Sequence, residues 1–194
     1  LATAPAGITF IHFEEPDDGG HRFGWMSARY LEYIARSDVC FASVMATRPD
    51  LAVSLTWLPF QLSPDMPREG KDRQAHYAAI FGADLARTIM DGMRQTAAAE
   101  GLRFEAGPGA RSPNTLSAHV LLYWAGERPG VDQNALAEKL FAAHHTDSED
   151  LGDPAVLARI AGEVGMDPVE VEAGLRAGKD EDRVQSLMEE ARQV

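Results

Sequence analysis

The sequence predicts a helix-dominated α/β protein, and three features carry that reading. Composition shifts from strand-like and turn-rich before about residue 70 to helix-rich after it. Beyond that point apolar residues recur at every fourth position, the period of a helix with one apolar stripe. Twice, at Asp153-Pro154 and Asp167-Pro168, an aspartate precedes a proline. Such a pair opens a helix, because the carboxylate accepts orphan amides and the proline needs no amide of its own. With 194 residues and 45% hydrophobic content, the chain is long enough for one core, or for a core and a helical lobe.

Taken in order, Gly7 to Phe13 (GITFIHF) reads as a short buried strand, closed by the turn cluster EEPDDGG. Phe23 to Arg36 fits either a helix from Trp25 onward or a strand over Tyr30 to Ile34 that feeds the loop Ser37-Asp38-Val39-Cys40. Leu51 to Leu62 (LAVSLTWLPFQL) places Val53, Leu55 and Trp57 on one face, a second strand that Pro59 turns into an extended exit. Tyr77, Phe81, Leu85, Ile89, Met93 and Ala97 then mark one long helix, which Gly101 stops. Ser112-Pro113 opens the next, with Ser112 as its cap and Leu116, Val120 and Trp124 on its buried side. Leu136, Leu140 and Phe141 mark another. Of the two aspartate-proline helices, the first buries Val156, Leu157, Ile160 and Val164 and ends at Gly165; the second has Glu170 placed for a capping box with Asp167. A last polar helix starts near Asp180. The expectation is a bundle of five or six helices.

Charge and composition narrow the functions. A formal charge of -12, with 18 basic residues scattered among 30 acidic ones, excludes a nucleic-acid surface and disfavours anionic membranes. No apolar run approaches the roughly 20 residues of a membrane span, and LATAPAGITF lacks the basic start and apolar core of a signal peptide, so a cytoplasmic location is expected. A single cysteine, Cys40, excludes an intrachain disulfide and any multi-cysteine zinc site.

Three stretches, Trp57 to Pro67 (WLPFQLSPDMP), Asn114 to Ala125 (NTLSAHVLLYWA) and Leu140 to Asp167 (LFAAHHTDSEDLGDPAVLARIAGEVGMD), resemble the FrnE branch of DsbA-like oxidoreductases in order and spacing. The resemblance runs over about residues 51 to 194. Relatives of that branch include glutathione-dependent 2-hydroxychromene-2-carboxylate isomerases and kappa-class glutathione transferases. It implies a thioredoxin core of strand, helix and strand, a large all-helical insertion, then two strands and a closing helix. On that basis residues 1–70 hold a partial thioredoxin-like portion and residues 71–194 the helical insertion domain and the helix after it.

The chain departs from the family pattern at several points. Leu58 stands where arginine is common, Ser63 where asparagine is frequent, and His144-His145 where an aromatic pair is usual. The Cys-Pro-Trp-Cys motif is absent: Cys40 is followed by Phe41-Ala42-Ser43, and only 16 residues separate it from Trp57, short for the usual first helix and loop. Taking Gly7 to Phe13 as the first strand fits the length but puts no thiol at the active position. No proline lies beyond Pro168, so the cis-proline strands are not matched and the expected core is incomplete. An incomplete core leaves a strand edge open, and a homodimer, or residues 1–29 folding back, would cover it.

Cys40 is the candidate catalytic residue. A thiol in the first turn of a helix gains from the dipole and free amides, although a lone cysteine is ordinarily a small buried hydrophobe. Resolution of its mixed disulfide would call on glutathione or a partner cysteine. The resemblance adds Trp57, Phe60, Ser63, Ser112 and Asn114 as substrate-binding residues, since the exit from the second strand and the start of the NT helix lie near the thiol in that fold. By residue type alone the stronger reading is that Ser112 caps and that Trp57, Phe60 and Trp124 are core. Two ligand-rich clusters, His12 to His21 and His144 to Asp150, lack the i, i+4 histidine pairing of a zinc helix, and no metal is assigned to either. GPGA at 107–110 lacks the lysine of a phosphate loop. The expected function is a thiol-disulfide oxidoreductase using one thiol, with protein disulfides or glutathione as partners and no tightly bound cofactor. A glutathione-dependent isomerase or transferase and a non-catalytic binding remnant are the alternatives.

Overall fold

Aspartates cap four of the seven described helices. The computed structural model describes residues 57–99, 101, 103–104 and 109–192, and the strand and loop expectations before residue 57 lie outside them. The described residues form a two-stranded antiparallel ribbon, β1 (Lys71–Asp72) and β2 (Arg111–Ser112), and seven helices. These are α1 (Arg73–Phe81), α2 (Ala83–Ala99), α3 (Leu116–Glu127), α4 (Gln133–His145), α5 (Pro154–Gly162), α6 (Pro168–Arg176) and α7 (Glu181–Arg192). Asp72, Asp132, Asp153 and Asp167 each accept one or two amides from the turn that follows, capping α1, α4, α5 and α6. Each cap answers orphan donors that would otherwise cost about 1 kcal/mol.

Four local expectations are corrected. The stripe from Tyr77 to Ala97 belongs to two helices, because Gly82 adopts φ 82° and ψ 153°, where no helix continues; its amide closes α1 on Ala78 O at 2.9 Å. This break makes seven helices of the expected five or six, and Phe81 and Leu85 beside it are exposed. Ser112 caps nothing: it pairs with Lys71 in the ribbon, since a residue before proline is pushed out of the helical region. Instead α3 begins at Leu116, whose amide is taken by the Asn114 side chain at 3.0 Å. Glu170 turns away from a capping box to Arg128, at 2.6 Å. Finally, Phe60, read by type as core, is exposed, whereas Trp124 is buried as core.

The core lies around α3, which packs against α4, α5, α6 and α7, while α5 and α6 form a hairpin. Val120, Leu121, Leu136, Leu157, Val171 and Val184 are fully buried there, each side chain contributing about 1.5–3 kcal/mol. Trp124 is fixed by its indole N–H, which donates to Asp180 Oδ2 at 2.7 Å, and by the Lys179 ammonium 5.7 Å above its ring. The elbow of α1 and α2 differs: its only buried residues are Arg73 and Ala86. Among the described elements α2 packs on α1 alone. No described helix is long and apolar enough to cross a membrane.

Candidate functional site

A groove of about 580 Å³ opens between the extended segment 57–63, the elbow, and the facing sides of α3 and α4. This is the size of a small-molecule site. Its lining is mostly apolar: Trp57, Leu58, Phe60, Met90, Met93, Phe104, Leu122, Leu140 and Phe141 contribute. The rings run in a chain along it. Trp57 meets Phe141 edge-on at 6.0 Å, Phe141 stacks on His145 at 6.3 Å, and His145 stacks on Phe104 at 5.7 Å.

The segment 57–63 stays extended because Pro59 lacks an amide and keeps Leu58 out of the helical region. Side-chain amides do for it what a neighbouring strand would do. Gln133, in the first turn of α4, accepts from Trp57 N at 3.0 Å and donates to Trp57 O at 3.3 Å and Leu122 O at 3.0 Å. Trp57 Nε1 donates to Asn134 at 2.7 Å. At the far end Asn114 accepts from Gln61 Nε2 at 2.9 Å and donates to Met66 O at 2.6 Å.

The polar floor of the groove is a guanidinium and three imidazoles. Arg73, 6% exposed, donates from Nε and Nη2 to Arg111 O at 3.1 and 2.9 Å and from Nη2 to His144 Nε2 at 2.9 Å. Burial pulls the Arg73 guanidinium below its ordinary value. His144 is pushed down to about 4 by burial first, then by Arg73 and by His145, whose ring lies 4.7 Å away. His145 is lowered by burial and Arg73, and its buried Nδ1 has no hydrogen-bond partner. His119 is lowered by burial, partly offset by its hydrogen bond to the Phe60 backbone. The groove is therefore an apolar trough in which burial disfavours the charged form of His119, His144 and His145 beside the Arg73 guanidinium.

Of the residues singled out in the sequence, Trp57, Phe60, Ser63 and Ser112 line this groove. Asn114 has its amide spent on Gln61, Met66 and Leu116, so it positions the segment rather than facing the groove. Cys40 and the cluster from His12 to His21 lie outside the described residues. In the cluster after α4 the acids turn to arginines: Asp147 to Arg103 at 3.7 Å, Glu149 to Arg159, and Asp150 to Arg111 at 3.2 Å. Sequence reasoning missed Arg73, His119, Phe104 and Gln133. Only His119 had a signal, a lone histidine inside the apolar run NTLSAHVLLYWA.

Residues 28–194 match the DSBA-like thioredoxin domain family. Among solved structures, a probable DsbA oxidoreductase of Streptomyces coelicolor is similar, at 26% identity and a TM-score of 0.60, over 69% of this chain and 58% of that one. The chain thus spans little more than half the length of that relative. No curated protein matches. The matched residues take in Cys40, the segment 57–63 and all seven described helices, and the chain belongs to the DsbA-like thioredoxin-domain family.

Proposed function

We propose that the chain is a thiol-disulfide oxidoreductase of the FrnE type that works through the single thiol of Cys40. The observation that carries this reading is a family match spanning the chain's one cysteine. The Cys40 thiolate attacks one sulfur of a substrate disulfide, forming a mixed disulfide and expelling the other sulfur as thiolate. A second thiolate, from glutathione or a partner cysteine, then takes over the bound sulfur and returns Cys40 to its thiolate. In this reading the groove holds the apolar part of the substrate, with Trp57 and Phe60 as its contact surface and Ser63 and Ser112 as hydrogen-bonding groups. Residues 1–70 form the thioredoxin-like portion and 71–194 the helical one; the protein works in the cytoplasm, as a homodimer.

A second reading, a glutathione-dependent isomerase of the 2-hydroxychromene-2-carboxylate type, is favoured by the volume and apolar lining of the groove, which suit a small ring compound. Incubation with oxidised glutathione followed by intact mass spectrometry tests the thiol. One glutathionyl adduct on the wild type and none on Cys40→Ser is the expected result, and a thiol that reacts only after denaturation overturns it. Reduction of insulin disulfides with glutathione as reductant then separates the oxidoreductase from the isomerase.

A further inference from the structure

The guanidinium of Arg73 touches His144 in a way that fixes the charge of that imidazole. Arg73 Nη2 lies 2.9 Å from His144 Nε2 and 3.4 Å from Nδ1, and because a guanidinium only donates hydrogen bonds, this approach suits an uncharged imidazole that keeps a lone pair and not an imidazolium. The ring also hydrogen-bonds the backbone of Glu149. The same Arg73 binds the Arg111 carbonyl, so one side chain at the start of α1 ties the elbow to both the ribbon and α4. The contact lies on the groove floor, with His76 and Tyr77 of α1 on one side and Leu122 and Phe141 on the other.

We propose that the Arg73–His144 contact is an acid-sensitive latch: protonation of His144 removes the acceptor, sets two cations against each other, and releases the α1–α2 elbow from α4. The elbow is suited to move, since α2 packs on α1 alone among the described elements. Among the described residues, the charged and titratable groups around the latch come from α1, α4, β2 and the segments beside them. His145 lies beside it on α4, and Tyr77 follows Arg73 on α1. Arg111 of β2 is held by Asp150, Arg103 by Asp147, and Glu149 by Arg159. Burial, Arg73 and His145 together hold the His144 imidazole near 4, so the latch is shut at neutral pH and opens in acid. This device goes beyond the thiol reading and is tested without any activity.

Hydrogen exchange of the full chain, corrected for the pH dependence of intrinsic exchange, reads the latch directly. Between pH 7 and about pH 4, the window bounded by the released and the held values of His144, protection over residues 73–99 should fall by about tenfold or more, since a linked protonation delivers up to about tenfold per unit within that window, while residues 154–176 stay protected. His144→Gln supplies an amide oxygen that accepts from Arg73 and does not titrate, so it should hold the elbow shut in acid. His144→Phe has no acceptor and should open it at pH 7, with residues 154–176 reporting that the variant is folded. Because acid also discharges carboxylates, the His144→Gln result is decisive. If wild type and His144→Gln lose protection together, or if residues 73–99 and 154–176 open at the same pH, the latch is refuted.

Discussion

A methyl group added at Gly174 should destabilise the bundle, whereas the same methyl at Gly92 should not. Both glycines lie inside helices, where replacement by alanine is ordinarily worth about 0.5–1 kcal/mol in favour of the variant. A Cβ at Gly174 of α6 would lie 2.8 Å from Cη2 of Trp124 on α3 and 3.5 Å from two more ring atoms. The ring has nowhere to go, because it is buried, hydrogen-bonded to Asp180 at 2.7 Å and covered by Lys179. Forcing an extra carbon into such a contact costs about 1–3 kcal/mol, so the net loss is about 1–2 kcal/mol after the helix gain. A Cβ at Gly92 of α2 meets nothing within 4 Å. Urea denaturation of the full chain, followed by far-ultraviolet circular dichroism, should lower the midpoint of Gly174→Ala by roughly 0.5–1 M at an unchanged slope of about 2 kcal/mol/M. The Gly92→Ala midpoint should be equal to wild type or higher. A Gly174→Ala protein as stable as Gly92→Ala would refute the claim that Trp124 is locked between α3 and α6.

Asn114→Ala removes a side chain that bonds Gln61, Met66 O and Leu116 N, and should cost about 1–3 kcal/mol in denaturant while raising exchange over residues 57–66. His144 gives stability a pH dependence of known sign. Its folded value of about 4 lies below the ordinary 6.5, so as pH falls the unfolded chain binds the proton first, and stability declines from about pH 6.5 to about 4 and is flat below. At about 1.4 kcal/mol per unit the shift corresponds to at most about 3.5 kcal/mol, and about 1–2 kcal/mol after allowance for partial solvent access. His144→Gln should flatten that part of the profile, and a profile unchanged by the substitution would rule the imidazole out as its source.

The helix starts were legible because their chemistry is local. Asp153 and Asp167 each face a proline and a free amide within three residues, and no distant group competes for them. The buried face of α3 was legible for a similar reason, since Leu116, Val120 and Trp124 share one side of one helix. The break at Gly82 was not, because a stripe of period four runs through it undisturbed and only the backbone angle reveals the stop. Ser112 misled because Ser-Pro serves a cap and an extended residue alike, and its pairing with Lys71 spans 41 positions of sequence. Arg73 sits in EGKDRQ, a stretch that reads as solvated surface; that it is buried on the groove floor depends on β2 and α4 arriving beside it. Gln133 and Asn134 are ordinary polar helix residues until the segment at Trp57 lies against them.

The two sides of the groove differ in stiffness, and the difference follows from which helices build them. One side is α3 and α4, whose groove-facing His119, Leu122 and Phe141 sit on helices anchored from behind by Val120, Leu121 and Leu136. Moving that side would expose fully buried leucines at about 1.5–3 kcal/mol each. The other side is the elbow, which presents Tyr77, Met90 and Met93 but has behind it the exposed Ile80, Phe81 and Leu85 rather than a packed layer. Arg73 ties it to His144 of α4 through a polar contact, and a polar tie responds to charge where a packed layer does not. A ligand larger than the present volume would therefore be admitted by displacement of α1 and α2 while α3 and α4 hold their positions. Methionines at 90 and 93 suit a wall of that kind, because their unbranched, polarizable side chains refill an altered gap with little strain.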